Sequence, residues 1–134
     1  DLVDTPDLGL LLFALASCVD GKSTITNISR LKFKESNRLE IGLKIITALN
    51  ASYKLLDEDN TIEIYGNTLP KVIDEFDSHG DHRVVFTLTS ISPLLSKPLT
   101  ITNAGVISKS YPRFWNDFEQ LGGIIRKWKQ SRLI

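Results

Sequence analysis

The sequence predicts an α/β (α+β) fold in which helices alternate with short strands. Apolar residues recur at helical spacing in four stretches, and alternating β-branched runs separate them. Gly, Pro, Asn and Asp mark most of the junctions. In addition, Thr24-Ile25-Thr26-Asn27 returns as Thr100-Ile101-Thr102-Asn103, each time after an apolar helix, so the chain reads as two similar halves, about 1–67 and 68–134. A period of roughly 75 residues is too long for a short solenoid repeat and suggests two copies of a larger unit packed side by side.

Thr5 can cap the first helix, with Pro6 at its first position and Asp7 in its first turn. That helix runs through Leu8, Leu11, Leu12 and Leu15 to Asp20-Gly21, and its nearly all-round apolar character predicts burial on more than one side. Ser23 to Ile28 reads as a strand. Lys34-Glu35-Ser36-Asn37-Arg38 opens a second helix with Ser36 as N-cap, a stripe at Leu39, Leu43, Ile46 and Leu49, and an end near Asn50. Tyr53–Leu56 and Thr61–Tyr65 form a hairpin around Glu58-Asp59-Asn60.

After a loop at Gly66–Pro70, Lys71–Phe76 reads as a strand and Ser78-His79-Gly80-Asp81 as a turn, with Asp81 as a candidate cap. His82 and Arg83 then fall in the first turn of a third helix, which Pro93 stops near Ser92. Leu99–Thr102 is a strand. Lys109-Ser110-Tyr111-Pro112 starts a fourth helix with Phe114, Phe118 and Leu121 inward. Gly122-Gly123 ends it, and Ile124–Trp128 is a last strand.

At 134 residues with 42% hydrophobic and 24% charged residues, the composition is that of an ordinary globular domain. Sixteen basic and sixteen acidic residues cancel, which argues against nucleic acid or an anionic membrane as partner and makes any anion chemistry local. There is no run of membrane-spanning length and no signal-peptide pattern. Cys18 stands alone, which excludes a disulfide framework or cysteine metal cluster and fits a reduced, cytoplasmic setting. Methionine is absent, so the chain is expected to be cut from something longer, or processed.

Charge gathers at the expected helix starts: Asp7; Lys34, Glu35 and Arg38; His82 and Arg83; and Lys109, with Lys34…Arg38 echoed by Lys109…Arg113. A cation at a helix N-terminus opposes the macrodipole, and a bound anion reverses that penalty. If the units pack in parallel, these ends face one side as cations, two carboxylates and a histidine, a set suited to a phosphate or carboxylate substrate. Arg fits bidentate anion clamping, Lys acts as a point charge or proton donor, and Asp or Glu among cations stays ionised and can act as a base. Taken singly, each is better explained as a solvated surface charge, a first-turn carboxylate or a local ion pair. A lone histidine is no metal site, and the Phe114, Trp115 and Phe118 face reads as core rather than a base-stacking platform. Walker, Rossmann and nucleophile-elbow patterns are absent.

Pro6-Asp7, Lys34-Glu35-Ser36-Asn37-Arg38-Leu39, Asp81-His82-Arg83 and Ser108-Lys109-Ser110-Tyr111-Pro112-x-Phe114-Trp115, in this order, resemble the signatures of the EPSP synthase (3-phosphoshikimate 1-carboxyvinyltransferase) family. The resemblance covers nearly the whole chain. It departs at Asn37, where the family usually has Asp, and at Val84-Val85-Phe86 after the Asp-His-Arg. It implies an enolpyruvyl transferase-like inside-out α/β barrel domain built from βαβαββ units. This chain would be the last two units of the C-terminal domain, residues 1–134, and would lack the N-terminal domain that completes the cleft.

The implied reaction transfers the enolpyruvyl group of phosphoenolpyruvate to the 5-hydroxyl of shikimate 3-phosphate with release of phosphate. By resemblance, Asp7 holds and helps deprotonate the hydroxyl, and Glu35 exchanges the proton at the methylene carbon. Arg38 and Arg83 bind phosphoenolpyruvate. Lys109 contacts its phosphate and protonates the leaving group, Lys34 reaches the shikimate substrate, and His82 supports the anion contacts. No metal or organic cofactor is implied. The full enzyme is expected to be a cytoplasmic monomer and the fragment inactive alone. The sister transferase acting on UDP-N-acetylglucosamine and a non-catalytic anion-binding module are the alternatives.

Overall fold

The computed structural model describes residues 1–127. Pro6 opens one 3₁₀ turn, Pro6–Leu8, which passes directly into helix α1, Gly9–Ser17; the Thr5 side chain makes no capping bond. Helix α1 is indeed buried on two sides. Phe13 and Ala16 join one core cluster with Ile25, Ile62 and Ile64, while Leu10 and Ala14 join another with Ile45, Val84 and Leu88. The stripe of Leu12 and Leu15, continued from Leu8 just before the helix, is exposed, because the main neighbours of α1 among the described residues, the second and third helices and the sheet, lie on its other sides.

Strands β1 (Gly21–Thr26), β2 (Ser52–Leu56) and β3 (Thr61–Gly66) form an antiparallel sheet in the order β1-β3-β2. Its register, Ile25 opposite Ile62 opposite Leu55, puts branched side chains on the face that α1 covers. The hairpin turn holds Asp57, Glu58 and Asp59 in the left-handed region, with the Thr61 hydroxyl donating to Asp57 at 2.9 Å. At the far end of β3, a Cβ on Gly66 would fall on the carbonyl oxygens of Ala16 and Val19. Gly66→Ala is therefore expected to cost about 2–3 kcal/mol by forcing strand and helix end apart, read as a lowered urea midpoint with an unchanged slope.

Helix α2 spans Arg38–Ala48, starting later than expected. Its N-cap is Asn37, whose side chain accepts from the Glu40 N–H at 3.1 Å, and not Ser36, whose hydroxyl is directed elsewhere. Leu39, Ile46 and Leu49 are buried as the periodicity predicts.

In the second half, the expected strand over Lys71–Phe76 is short: Lys71 makes only an isolated bridge to Leu95, and β4 is Glu75–Asp77. The buried Lys71 ammonium instead donates to Leu49 O at 2.7 Å and Asn67 Oδ1 at 2.6 Å, closing the end of α2. Strand β4 pairs in parallel with β5, Thr100–Thr102. Between them lies α3, His82–Ile91, capped by Asp81 as predicted and followed by a 3₁₀ turn at Ser92–Leu94. A longer 3₁₀ segment, Ala104–Lys109, precedes α4, Phe114–Gln120, which Gly122 ends at φ +99°. Lys109 therefore closes one element rather than opening α4. Leu121 is exposed, residues 124–127 form no strand, and Trp128 lies outside the described residues.

The Thr-Ile-Thr-Asn runs share more than sequence. Asn27 and Asn103 are both left-handed. Their amides donate to Asp1 (2.7 Å) and Asp77 (3.1 Å), and the next backbone N–H after each aspartate, from Leu2 and Ser78, reaches Thr26 O (3.0 Å) and Thr102 O (3.1 Å).

Candidate active site

Residues at the starts of α1, α2 and α3 converge on one buried guanidinium. Arg38, the first residue of α2, is only 1% exposed. Its Nε donates to Asp81 Oδ2 at 2.7 Å and its Nη2 to Asp81 Oδ1 at 3.0 Å, a two-point clamp on a fully buried carboxylate. Nη1 donates to Asp7 Oδ1 at 3.0 Å and Nη2 to Glu35 Oε2 at 2.6 Å. Of the five N–H donors of a guanidinium, four are thus spent on three carboxylates.

The same carboxylates gather the remaining cations. Asp7, on the 3₁₀ turn before α1, has Arg83 Nη2 at 3.5 Å and Lys34 Nζ at 4.0 Å. Asp81 also accepts from the Ser36 hydroxyl at 2.7 Å and from the Arg83 backbone N–H at 2.9 Å, so one side chain caps α3 and ties it to the loop before α2. Asp7, Lys34, Glu35, Arg38 and Arg83 come together as expected, drawn from three segments far apart in sequence. The sequence pattern alone sets these cations against their helix dipoles until an anion arrives. The structure corrects this, because Asp7, Glu35 and Asp81 already neutralise them.

His82 and Lys109 stand apart from this cluster. The His82 ring packs edge-on against Phe86, 6.0 Å between centroids. Lys109 lines an open groove with Gly80, Asn103, Gly105 and Val106, next to the loop that carries Asp81. A small, partly open pocket is lined by Asp7, Leu8, Leu11, Arg83, Phe86, Thr87 and Ser90. Sequence inspection values Asp81 only as a cap and misses Ser36 as its partner. The available signal lies on one side, where Leu39 and Ile41 follow Arg38: a guanidinium drawn into that apolar face needs a buried counter-charge.

Burial alone would push the Arg38 guanidinium down. The Asp81 hydrogen bonds and the charges of Asp81, Glu35 and Asp7 outweigh it and hold it above its ordinary value. For Asp81, burial pulls upward, but the bonds from Arg38, Ser36 and the Arg83 N–H, with the Arg38 charge, hold it below the usual carboxylate range. A carboxyl depressed on folding adds stability that is present above its unfolded value and lost as pH falls through the folded one. The chain is therefore expected to lose stability below the ordinary carboxylate range, near pH 4, and Asp81→Asn to flatten that loss. Urea midpoints at pH 7 and pH 3 for both chains check this.

Among the described residues, no helix is long and apolar enough to cross a membrane, and no group of three His, Cys, Asp or Glu side chains is placed to hold a metal.

Comparison with known proteins gives a consistent picture. The model of the EPSP synthase (3-phosphoshikimate 1-carboxyvinyltransferase) family matches residues 1–118. The chain is 36% identical to the 3-phosphoshikimate 1-carboxyvinyltransferase of Clostridium kluyveri over 98% of its own length and 30% of the relative's. Against that of Clostridioides difficile it is 34% identical over the same shares. A solved EPSP synthase from Acinetobacter baumannii superposes with a TM-score of 0.69 at 26% identity, covering 83% of this chain and 26% of that one. The chain spans about 30% of the length of the curated relatives it matches.

Proposed function

This chain belongs to the EPSP synthase family, and we propose that it supplies one wall of that family's active-site cleft, with the missing N-terminal portion supplying the other. Its α/β architecture matches the solved family member. In the proposed division, units of about 1–67 and 68–134 form part of a C-terminal domain; the paired Asn27 and Asn103 hydrogen bonds support that partition. The whole protein is read as a cytoplasmic monomer.

The proposed reaction adds the 5-hydroxyl of shikimate 3-phosphate to phosphoenolpyruvate, and the tetrahedral adduct then loses phosphate. Asp7 takes the hydroxyl proton. Glu35 delivers a proton to the methylene carbon and removes one on breakdown. Arg83 and Arg38 hold the phosphoenolpyruvate anion, Lys109 meets its phosphate and protonates it on leaving, Lys34 reaches the shikimate substrate, and His82 backs the anion contacts. These steps need only oriented charge and proton transfer. The convergence of Arg38, Arg83 and Lys34 on the single carboxylate of Asp7 carries this reading. The names of the relatives favour the shikimate enzyme over the UDP-N-acetylglucosamine transferase.

Half a cleft cannot exclude water or hold two substrates. The chain alone is therefore expected to release no phosphate from phosphoenolpyruvate and shikimate 3-phosphate, and to do so once the N-terminal portion of a relative is added in trans. Turnover at ordinary enzyme rates by the chain alone would refute the half-cleft, and failure of every folded pairing to turn over would refute the assignment of activity.

A further inference from the structure

Arg38 differs on its two sides. Toward the core it meets Asp81, fully buried, through Nε and one Nη2 hydrogen. Toward solvent it meets Asp7 and Glu35, whose side chains are 51% and 57% exposed. The inner contacts leave water altogether. Breaking them would strand a buried charge, which is costly. The outer bonds are part-buried, but their carboxylates keep about half of their surface in water, so water or another anion can replace either of them at less cost than Asp81.

The cluster Lys34, Arg38 and Arg83 against Asp7, Glu35 and Asp81 carries no net charge. An approaching anion gains attraction only once the two exposed carboxylates withdraw. Asp7 is the critical one, since Arg38, Arg83 and Lys34 all lie on it.

We infer that Arg38 is an exchange site in which Asp81 is the positioning residue: it fixes the inner edge of the guanidinium, while Asp7 and Glu35 hold the outer edge only until a substrate carboxylate or phosphate takes their place. The exchange turns Asp7 and Glu35 from ion-pair partners into free carboxylates beside the bound anion, where a base is wanted. Ser36 belongs to the inner fixture through its bond to Asp81. This inference rests on the anion-binding role of the site proposed above.

The test uses the chain itself, titrated with inorganic phosphate and with phosphoenolpyruvate at low salt, with the arginine side-chain N–H signals followed by nitrogen-15 NMR. In the wild-type chain the Arg38 Nε–H signal should stay fixed during titration while the Nη signals of Arg38 and Arg83 move. Glu35→Gln should tighten binding about two- to fivefold, and Asp7→Asn, which frees more cations, about tenfold. Asp81→Asn removes the same single negative charge but should not tighten binding, because the guanidinium then loses its inner clamp; circular dichroism confirms that this variant is folded. If all three variants tighten alike, only net charge matters and the positioning role falls. If none of them changes the affinity, the exchange falls while the anion site stands. No binding by any of the four chains would refute the anion site and the exchange with it.

Discussion

Arg38→Ala is expected to destabilise the chain by about 3–5 kcal/mol, the cost of leaving a buried charge without its partner, and to lower Tm by roughly 10 °C or more. The effect comes from Asp81 alone and not from the two outer ion pairs. Arg38 pairs with Asp7, Glu35 and Asp81, but the first two carboxylates remain solvated when the arginine is removed. Asp81 is fully buried and keeps only the Ser36 hydroxyl and the Arg83 N–H. Glu35→Gln, which removes an ion pair of similar length, should cost below about 1 kcal/mol. The double variant Arg38→Met with Asp81→Asn should recover a substantial part of the deficit, since an uncharged amide still accepts from Ser36 and caps α3 while no ion stays buried. Thermal and urea melts of the four chains decide the matter. If Arg38→Ala and Glu35→Gln cost the same, the buried clamp has no special weight.

That clamp also marks the limit of what the sequence could reveal. Period and turn chemistry are enough for α2, α3, the β2–β3 hairpin and the Asp81 cap, because each is decided within a few neighbouring residues. Ser36 departs from its expected role for a tertiary reason. It competes with Asn37 for the cap, and Asp81, brought from the other half of the chain, takes its hydroxyl. Lys71 likewise reads as strand because its neighbours are branched, yet its ammonium is drawn to the carbonyl end of α2. The gathering of charged helix starts is legible as a pattern, since Lys34, Arg38 and Arg83 repeat one theme. Their internal neutralisation is not, because it depends on which carboxylates the packing of α1 and α3 carries to the same point. The spacing of Lys109-Ser110-Tyr111-Pro112 puts Lys109 at a helix start, but Pro112 delays α4 and leaves the lysine closing a 3₁₀ segment.

Asp7→Asn in the reassembled enzyme is expected to reduce kcat by about 10²–10⁴-fold, the range for losing a positioned general base, while KM for phosphoenolpyruvate does not rise. The two parameters should part because the proposed mechanism gives Asp7 two tasks. As a base it is needed only while the 5-hydroxyl proton is in flight, so its removal falls on the chemical step. As a surface partner of Arg38, Arg83 and Lys34 it competes with the incoming anion, and an asparagine competes less. Arg83→Ala should do the reverse and raise KM for phosphoenolpyruvate if Arg83 holds that anion as proposed, because Arg83 is more exposed than Arg38 and its charge is open to solvent. Steady-state kinetics for both variants, with each substrate varied in turn, separate the tasks. A kcat unchanged in Asp7→Asn would remove Asp7 from the chemistry and leave it as a counter-ion. A raised KM in that variant would mean that Asp7 holds substrate rather than giving way to it.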